Sequence, residues 1–328
     1  MKQKTWLALI LMIKVLTIKA LAVKALMANV LALRILAVAV LLATACSAAA
    51  QECTTTVLVS FYDQLTKNEI ETLKTGDIEV TVAGKTVPLP SATRDFNNRV
   101  LVLVETDGIA KNDRVEEVVD MVTRQARQAD EGKPVAFGMF AEKALFTKTF
   151  LADPEKRTSA INGIVEEAGS LGKRVALWDA LHQALGLFGP HQPGDTVLLI
   201  GEPYDDASHH SAGTVEKEFI ASGTRLFMMR RSRSSRVERD FLWSSHEFEK
   251  TLLDRMTQET GGLWSEYVAS LIRFAWAGYL LKIKLPPGMN KPMKWKVQFH
   301  GAAAQTHRKT NFYYPALLPP CAAQTQHN

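Results

Sequence analysis

The stretch RVLVLVE, residues 99–105, sets five apolar residues in a row between Arg99 and Glu105. No polar residue alternates with them, so neither face of this segment is made for water. A strand buried on both faces reads this way. Three further runs have the same character: KPVAFGMFA at 133–141, DTVLLIG at 195–201 and TRLFMMR at 224–230. Helical patterns separate them. Asp113 is an N-cap for a helix striped by Val115, Val118, Val119 and Val122. Residues 153–168, the strongly apolar 176–188, the short 215–221 and 246–259 follow, the last closing at Gly261-Gly262. ALFTKTF at 144–150 adds a strand that forms a hairpin with its predecessor. Strands alternating with helices predict an α/β fold with a doubly wound, mostly parallel sheet covered on both sides.

Outward from this middle segment, 98–263, the pattern changes on both flanks. Residues 51–97 open with TTTVLVSFYD, a β-rich run. A short connecting helix is expected at 66–74, then IEVTVAG alternates as a strand and turns at Gly84-Lys85 into TVPL. PSATRDFNN, 90–98, reads as a polar linker. Residues 264–328 carry a short apolar helix, two β segments at 277–285 and 293–299 around Pro286-Pro287-Gly288, and a closing NFYYPALLPP. Two strands cannot make an independently stable sheet. They are expected to pair with the strands near residue 55, so that both chain ends build one small β module. Cys53 and Cys321 are then a candidate disulfide joining the ends.

Residues 1–50 contain no acidic residue and six basic ones, Lys2, Lys4, Lys14, Lys19, Lys24 and Arg34. An uninterrupted apolar run at 35–45 and the small residues Ala48-Ala49-Ala50 follow, the form of a secretory leader cleaved before Gln51. Met27 also begins a compact leader. Cys46 offers an alternative as a lipidation site, although Ala43 stands where such a box carries leucine. Localisation outside the cytoplasm is expected, in periplasm, cell envelope or medium, with the membrane met only through the leader or a lipid on Cys46. Six of the 39 basic residues leave with the leader, so 33 face 34 acidic ones. The basic character belongs to the targeting segment, and no nucleic-acid partner follows from charge. The local run Arg225, Arg230, Arg231, Arg233, Arg236 and Arg239 reads as a solvated loop after a strand.

Sequence signatures of chemistry are absent: no G-x-S-x-G elbow, no H-E-x-x-H helix, no phosphate-cradling glycine loop. His209-His210 has no neighbouring Cys or His pair to complete a metal set. Trp243, Trp264, Trp276 and Trp295 suit packing between the last helix and the β segments. In open α/β sheets ligands bind at the carboxyl ends of the strands. Two such ends carry carboxylates, Glu105 and Asp107 in ETDG, and Glu202 and Asp205 in GEPYDD.

The order of elements resembles a von Willebrand factor A domain, more closely the exported bacterial VWFA-related proteins. ALWDAL (176–181) looks like that family's Ala-Leu-Tyr-Asp-Ala helix, ETGG (259–262) like its Thr-Gly-Gly helix end, and IEVTVAGKTV and YLL…FYYP like its flanking strands. The likeness covers roughly residues 54–316. It implies a non-catalytic binding or adhesion domain with a protein or cell-surface ligand. It also implies a metal-ion-dependent adhesion motif, Asp-x-Ser-x-Ser with a later Thr and Asp, and here this is degenerate. Its positions read Glu105, Asp107 and Ile109, then Val175, then Glu202, and Val175 and Ile109 bring no oxygen. No tightly bound cofactor is expected; Mg²⁺ or Ca²⁺ would be held weakly, with water completing the shell. The alternatives are an envelope scaffold that has lost its ligand, or a hydrolase assembled only in three dimensions.

Overall fold

The computed structural model describes residues 53–65, 68–94, 98–106, 132–230, 243–265, 271, 274–276, 278–286, 289 and 291–319, with backbone alone at Arg230 and 243–248. The leader, Asp107, Ile109, the helix expected from Asp113, most of the arginine run, Cys46 and Cys321 lie outside them.

Strands β1 (Cys53–Asp63), β2 (Asn68–Glu69), β3 (Ile78–Val82), β4 (Lys85–Val87) and β5 (Ser91–Arg94) open the described chain. β6 (Val100–Glu105), β7 (Val135–Phe140), β8 (Ala144–Phe146), α1 (Pro154–Glu167), α2 (Leu177–Leu187), β9 (Thr196–Gly201), α3 (Ala212–Ser222), β10 (Arg225–Arg230), α4 (Trp243–Glu259) and β11 (Trp264–Ser265) form the middle. β12 (Tyr279–Leu285), β13 (Met293–Phe299), α5 (Gly301–Thr306), β14 (Thr310–Tyr313) and β15 (Leu317–Leu318) complete it.

The central sheet has the order β11-β10-β9-β6-β7-β8 and is parallel except for β8, the hairpin partner of β7. Every residue of β6, β7 and β9 is buried, as their unbroken apolar runs require. Val100, Val102 and Val104 pack with Ile161 and Ile164 of α1 and with Leu271, Phe274 and Trp276. Leu101 and Leu103 face the other way, onto α2, α3 and α4 through Leu181, Phe219 and Leu253. The expected doubly wound α/β sheet is therefore present.

Both chain ends meet beside it. β1 lies between β12 and β14 in one antiparallel sheet, which β5 and β2 extend, while β13 lies between β15 and β3 in another, with β4 beyond β3. The two sheets share a core of Val57, Val59, Phe61, Val80, Tyr279, Leu281, Trp295 and Val297. Phe61 sits at its centre, 5.3–5.6 Å from the rings of Tyr279, Phe299 and Phe312. β3 and β4 join through Ala83 and Gly84, both at positive φ (50° and 78°), as a two-residue hairpin turn demands. Cys53 is disulfide-bonded.

Four expectations need correction. The helix expected at 66–74 is not formed over 68–74: Glu69 pairs with Tyr62, the Ile70 amide donates to the Phe61 carbonyl and the Leu73 amide to the Tyr279 hydroxyl. The linker at 90–98 contains β5, recruited by β12. The segments at 277–285 and 293–299 enter different sheets. Arg225 is no solvated loop residue: at 1% exposure it opens β10 and is buried among Ser60, Gly261, Phe227 and Phe274. Burial pulls its pKa down to about 9, partly offset by the charge of Glu69, so it stays cationic at neutral pH. Of the tryptophans, Trp276 and Trp295 are buried as expected, whereas Trp264 on the edge strand is 43% exposed.

The entry to β6 and β9 is held by one ion pair. Arg99 donates from Nε and Nη2 to both oxygens of Asp195 (2.8 and 2.6 Å) and from Nη1 and Nη2 to the carbonyls of Phe188 and Pro190. The Asp195 side chain is fully buried, and burial raises its pKa although Arg99 and the Gln192 amide work to lower it. Removing one member of a buried pair strands the other charge. Asp195→Ala should lower unfolding free energy by about 3–5 kcal/mol, read from the shift of the urea midpoint at unchanged slope.

Candidate functional site

The carboxyl ends of β6 and β9 and the start of α2 converge, and two described loops meet there: residues 171–176 before α2, and residues 201–211 after β9. Of the acids singled out in the sequence, Glu105 ends β6 with 3% exposure. Its Oε2 accepts from the Glu202 amide at 2.5 Å, and at Gly201 a Cβ would fall 2.6 Å from that same oxygen. Glu105 therefore sits beneath the 201–211 loop and is not a solvated loop end; the lack of a side chain at Gly201 makes the room. Thr106 turns inward as well, donating to the Phe140 carbonyl. Asp107 is outside the described residues. Glu202 contributes its backbone amide here.

Asp205 is held more tightly than a loop residue need be. Its Oδ1 accepts from the Leu177 amide (2.8 Å) and from the Ser208 hydroxyl. Burial nonetheless raises its pKa against those bonds. Asp205 in turn raises Glu249 of α4, a shift due first to burial and second to this neighbouring charge.

Two acids passed over in the sequence complete the arrangement. Asp206 Oδ1 accepts from the Val175 amide at 2.7 Å, and the Val175 carbonyl accepts from the amides of Asp206 and Ala207. Val175, which offers no side-chain oxygen, thus engages through its backbone. Asp179, in the first turn of α2, accepts from the amides of His209 and His210 at 2.8–3.0 Å and meets both Nδ1 atoms at 2.9 and 2.7 Å. Burial opposes its charge, yet the four bonds from the two histidines outweigh this and hold the carboxyl well below the usual range. The signal in the sequence was Asp179 one turn into a helix with no local donor. His210 also stacks on His182 of α2, ring centroids 4.0 Å apart and 18° from parallel, and His182 Nδ1 is 2.8 Å from Glu218 of α3.

These carboxylates accept mainly from backbone amides of a neighbouring loop, so they stitch the loops together. Among the described residues, that chemistry does not fit a bound divalent ion. Val175 gives no side-chain oxygen, Glu105 Oε2 is already engaged, and no three His, Cys, Asp or Glu side chains among the described residues converge to hold a metal. Nor is a nucleophile prepared. Ser208 Oγ donates to Asp205 and accepts from the Trp178 and Asp179 amides, and no histidine bonds to it among the described residues. The surface left outward includes the His209 ring, 91% exposed, and the partly buried Tyr204.

Hydrogen bonds to a charged acceptor contribute about 1.5–3 kcal/mol. Asp179→Asn should therefore lower stability by about that amount at neutral pH. Because the folded pKa is depressed, the gap between parent and variant is full above the unfolded value of about 4 and closes as pH falls below it. Urea midpoints of both proteins between pH 7 and 3 give the measurement.

No family model matches the sequence, and no curated protein does. Among solved structures, the chain is similar to the conserved hypothetical protein BatB from Bacteroides thetaiotaomicron, with 14% identity over 54% of this chain and 96% of that one, at a TM-score of 0.41. It is similar to an aerotolerance-related membrane protein from Bacteroides fragilis, with 15% identity over 55% and 96%, at 0.40. It is also similar to the ArnB paralog VWA2 from Sulfolobus acidocaldarius, with 8% identity over 84% and 79%, at 0.37. At these values no residue of this chain takes a role from them.

Proposed function

We propose that this chain is an exported, non-catalytic binding domain that recognises a protein or surface ligand in the cell envelope. Its strand-end loops act as a rigid face that needs no bound metal. The observation that carries this reading is the lacing of residues 171–176 and 201–211 by Asp179, Asp205 and Asp206, with Glu105 fixing the Glu202 amide from below. A pre-ordered face loses little conformational entropy when a partner docks. The Ser208 hydroxyl donates to Asp205 and is bonded to no histidine among the described residues, which argues against its use as a hydrolytic nucleophile. The acidic-free, lysine-bearing leader with its apolar run and Ala48-Ala49-Ala50 supports export and processing before Gln51. Among the described residues no helix is long and apolar enough to cross a membrane.

Two experiments test the reading. A native-state ligand at a hundredfold its dissociation constant stabilises by about 2.7 kcal/mol, which moves a melting point by several degrees. Melting the protein in EDTA, Mg²⁺, Ca²⁺ and Mn²⁺ should give no such shift; a cation-dependent rise lost in Glu105→Gln would reinstate a metal-bridged mechanism. For the face itself, a photo-crosslinking side chain is placed at His209 and, as a control, at exposed Lys156 on α1, in the cells that make the protein. A discrete adduct from position 209 alone, insensitive to EDTA and weakened by Asp179→Asn, is expected. Equal labelling from both positions would leave an assembly scaffold.

A further inference from the structure

At the end of the central sheet away from the laced loops, a cleft of about 870 Å³ opens between β1, the carboxyl ends of α2 and α3, and the loop before β9. One of its walls is an open strand edge. The backbone N–H of Gln64 donates to the Lys309 carbonyl, and Ser60 and Tyr62 face Tyr313 and Asn311 in the same register. Hydrogen-bonded pairs alternate along an antiparallel ladder. The even-numbered residues of β1 therefore turn their N–H and C=O towards the β14 side, and the odd-numbered ones towards β12. β14 stops opposite Ser60. Pro315 has no N–H and its carbonyl accepts from Trp295 Nε1, the Ala316 N–H donates to the Glu259 carbonyl, and Leu317 and Leu318 pair with β13 in the other sheet. The backbone groups of Thr54 and Thr56 are left facing the cleft, which both residues line, with no hydrogen-bond partner among the described residues.

An open edge is a template for another strand, and folded proteins blunt it with charges, prolines or bulges, or cover it. Here Thr54-Thr55-Thr56-Val57 is uncharged and β-branched throughout, the composition of a strand that pairs well. Thr54 is exposed and Thr56 half-buried, so the edge is within reach of another chain segment. It is also recessed between the ends of α2 and α3 and Pro319. A single extended segment fits such a recess, whereas the edge of a second copy, recessed in the same way, does not. Pro319 is the last described residue, so the chain itself brings residues 320–328 to this wall. Leu318 lies in the core of the β module, in the sheet that packs against the β1 sheet. Three residues take the chain from there to Cys321, a reach of about 10 Å, and packed sheets lie about 10 Å apart. Cys53, which begins β1, is disulfide-bonded, and the chain's other cysteines are Cys46 and Cys321.

We propose that residues 321–326 add to β1 as a parallel strand, with Cys321 beside Cys53 in a disulfide, so that the chain's own segment occupies the cleft and covers the open edge. Neighbouring strands lie about 4.8 Å apart, within the Cα separations that a disulfide bridges. The bond takes two electrons and two protons from the two thiols to a disulfide oxidant, which leaves as a dithiol. With Cys321 opposite Cys53, a parallel ladder places the Ala323 N–H on the Thr54 carbonyl and the Thr325 N–H on the Thr56 carbonyl. The N–H groups of Thr54 and Thr56 donate in turn to the carbonyls of Cys321 and Ala323. Residues 321–326 carry no charge and no proline, as a paired strand requires. The pairing is independent of whatever the strand-end loops bind.

The test is amide hydrogen exchange of the purified protein, read by NMR at Thr54 and Thr56, with exchange at Val102 and Leu198 of the central sheet reporting that each variant is folded. Both threonine amides are expected to exchange at least a hundredfold slower than an unpaired amide. Proline removes a ladder donor only where the N–H points at the partner strand. Ala323→Pro and Thr325→Pro should therefore each speed exchange at Thr54 and Thr56 at least tenfold. Gln324→Pro, whose N–H turns away from β1, should change it less than threefold. A digest made without reductant should yield one peptide pair joining Cys53 to Cys321. Free exchange at the two threonines of the parent, protection untouched by all three prolines (another occupant of the edge), equal loss in all three, or Cys53 joined to Cys46 would overturn the proposal.

Discussion

The pairing of Cys53–Asp63 with Tyr279–Leu285 is the constraint on which the rest depends. Seven residue pairs of this ladder join positions more than two hundred residues apart, and β14 adds four more on the same strand. Among the described residues β1 has little local partner, only the two residues of β2, so its backbone groups are paired chiefly by strands from the far end of the sequence. Closing so long a loop costs entropy that grows only slowly with length, and the return is large because β1 serves two cores. Its Val57, Val59 and Phe61 fill the β module, and its other face supplies Leu58 and Ser60 to the central domain. Each part thereby fixes the position of the other.

At the other end of the sheet the ordering problem is solved differently. Loops at strand ends carry backbone amides that cannot pair within a helix or ladder, and a buried amide without an acceptor is costly. Here Asp179, Asp205, Asp206 and Glu105 supply acceptors from one loop to the next. A cation would tie loops by drawing several oxygens to itself. These carboxylates reach outward to separate amides, so the hydrogen bonds themselves order the loops. The opposed shifts of Asp179 and Asp205 show the balance in each case: four hydrogen bonds from the two histidines outweigh burial at Asp179, while at Asp205 burial outweighs its bonds.

The sequence revealed those features whose cause is local. Unbroken apolar runs announced β6, β7 and β9 because a strand covered on both faces has no polar position to spare. The alternation of IEVTV announced β3. Where the cause lay far along the chain, local reading failed. Residues 68–74 look helical in isolation, and they are drawn out by Phe61 and Tyr279. Residues 91–94 look like a linker because β5 is an edge strand whose polar side chains face outward; its partner lies near residue 280. At the site, Glu105 was visible as an acid after a strand, but its inward turn depends on Gly201 of another strand. Asp179 was hidden because its donors stand thirty residues later.

Arg225 is the sharpest such failure, and its physics explains why. An arginine followed by more arginines looks solvated, since charged side chains are seldom buried unless paired. Among the described residues, its surroundings supply long hydrogen bonds, the charge of Glu69 and the face of Phe227, 4.7 Å from the guanidinium carbon. A hydrophobic residue of similar volume would serve the fold at least as well at that position. A fold that keeps a cation here, at the seam between its two parts, gains nothing in stability that a methionine would not give.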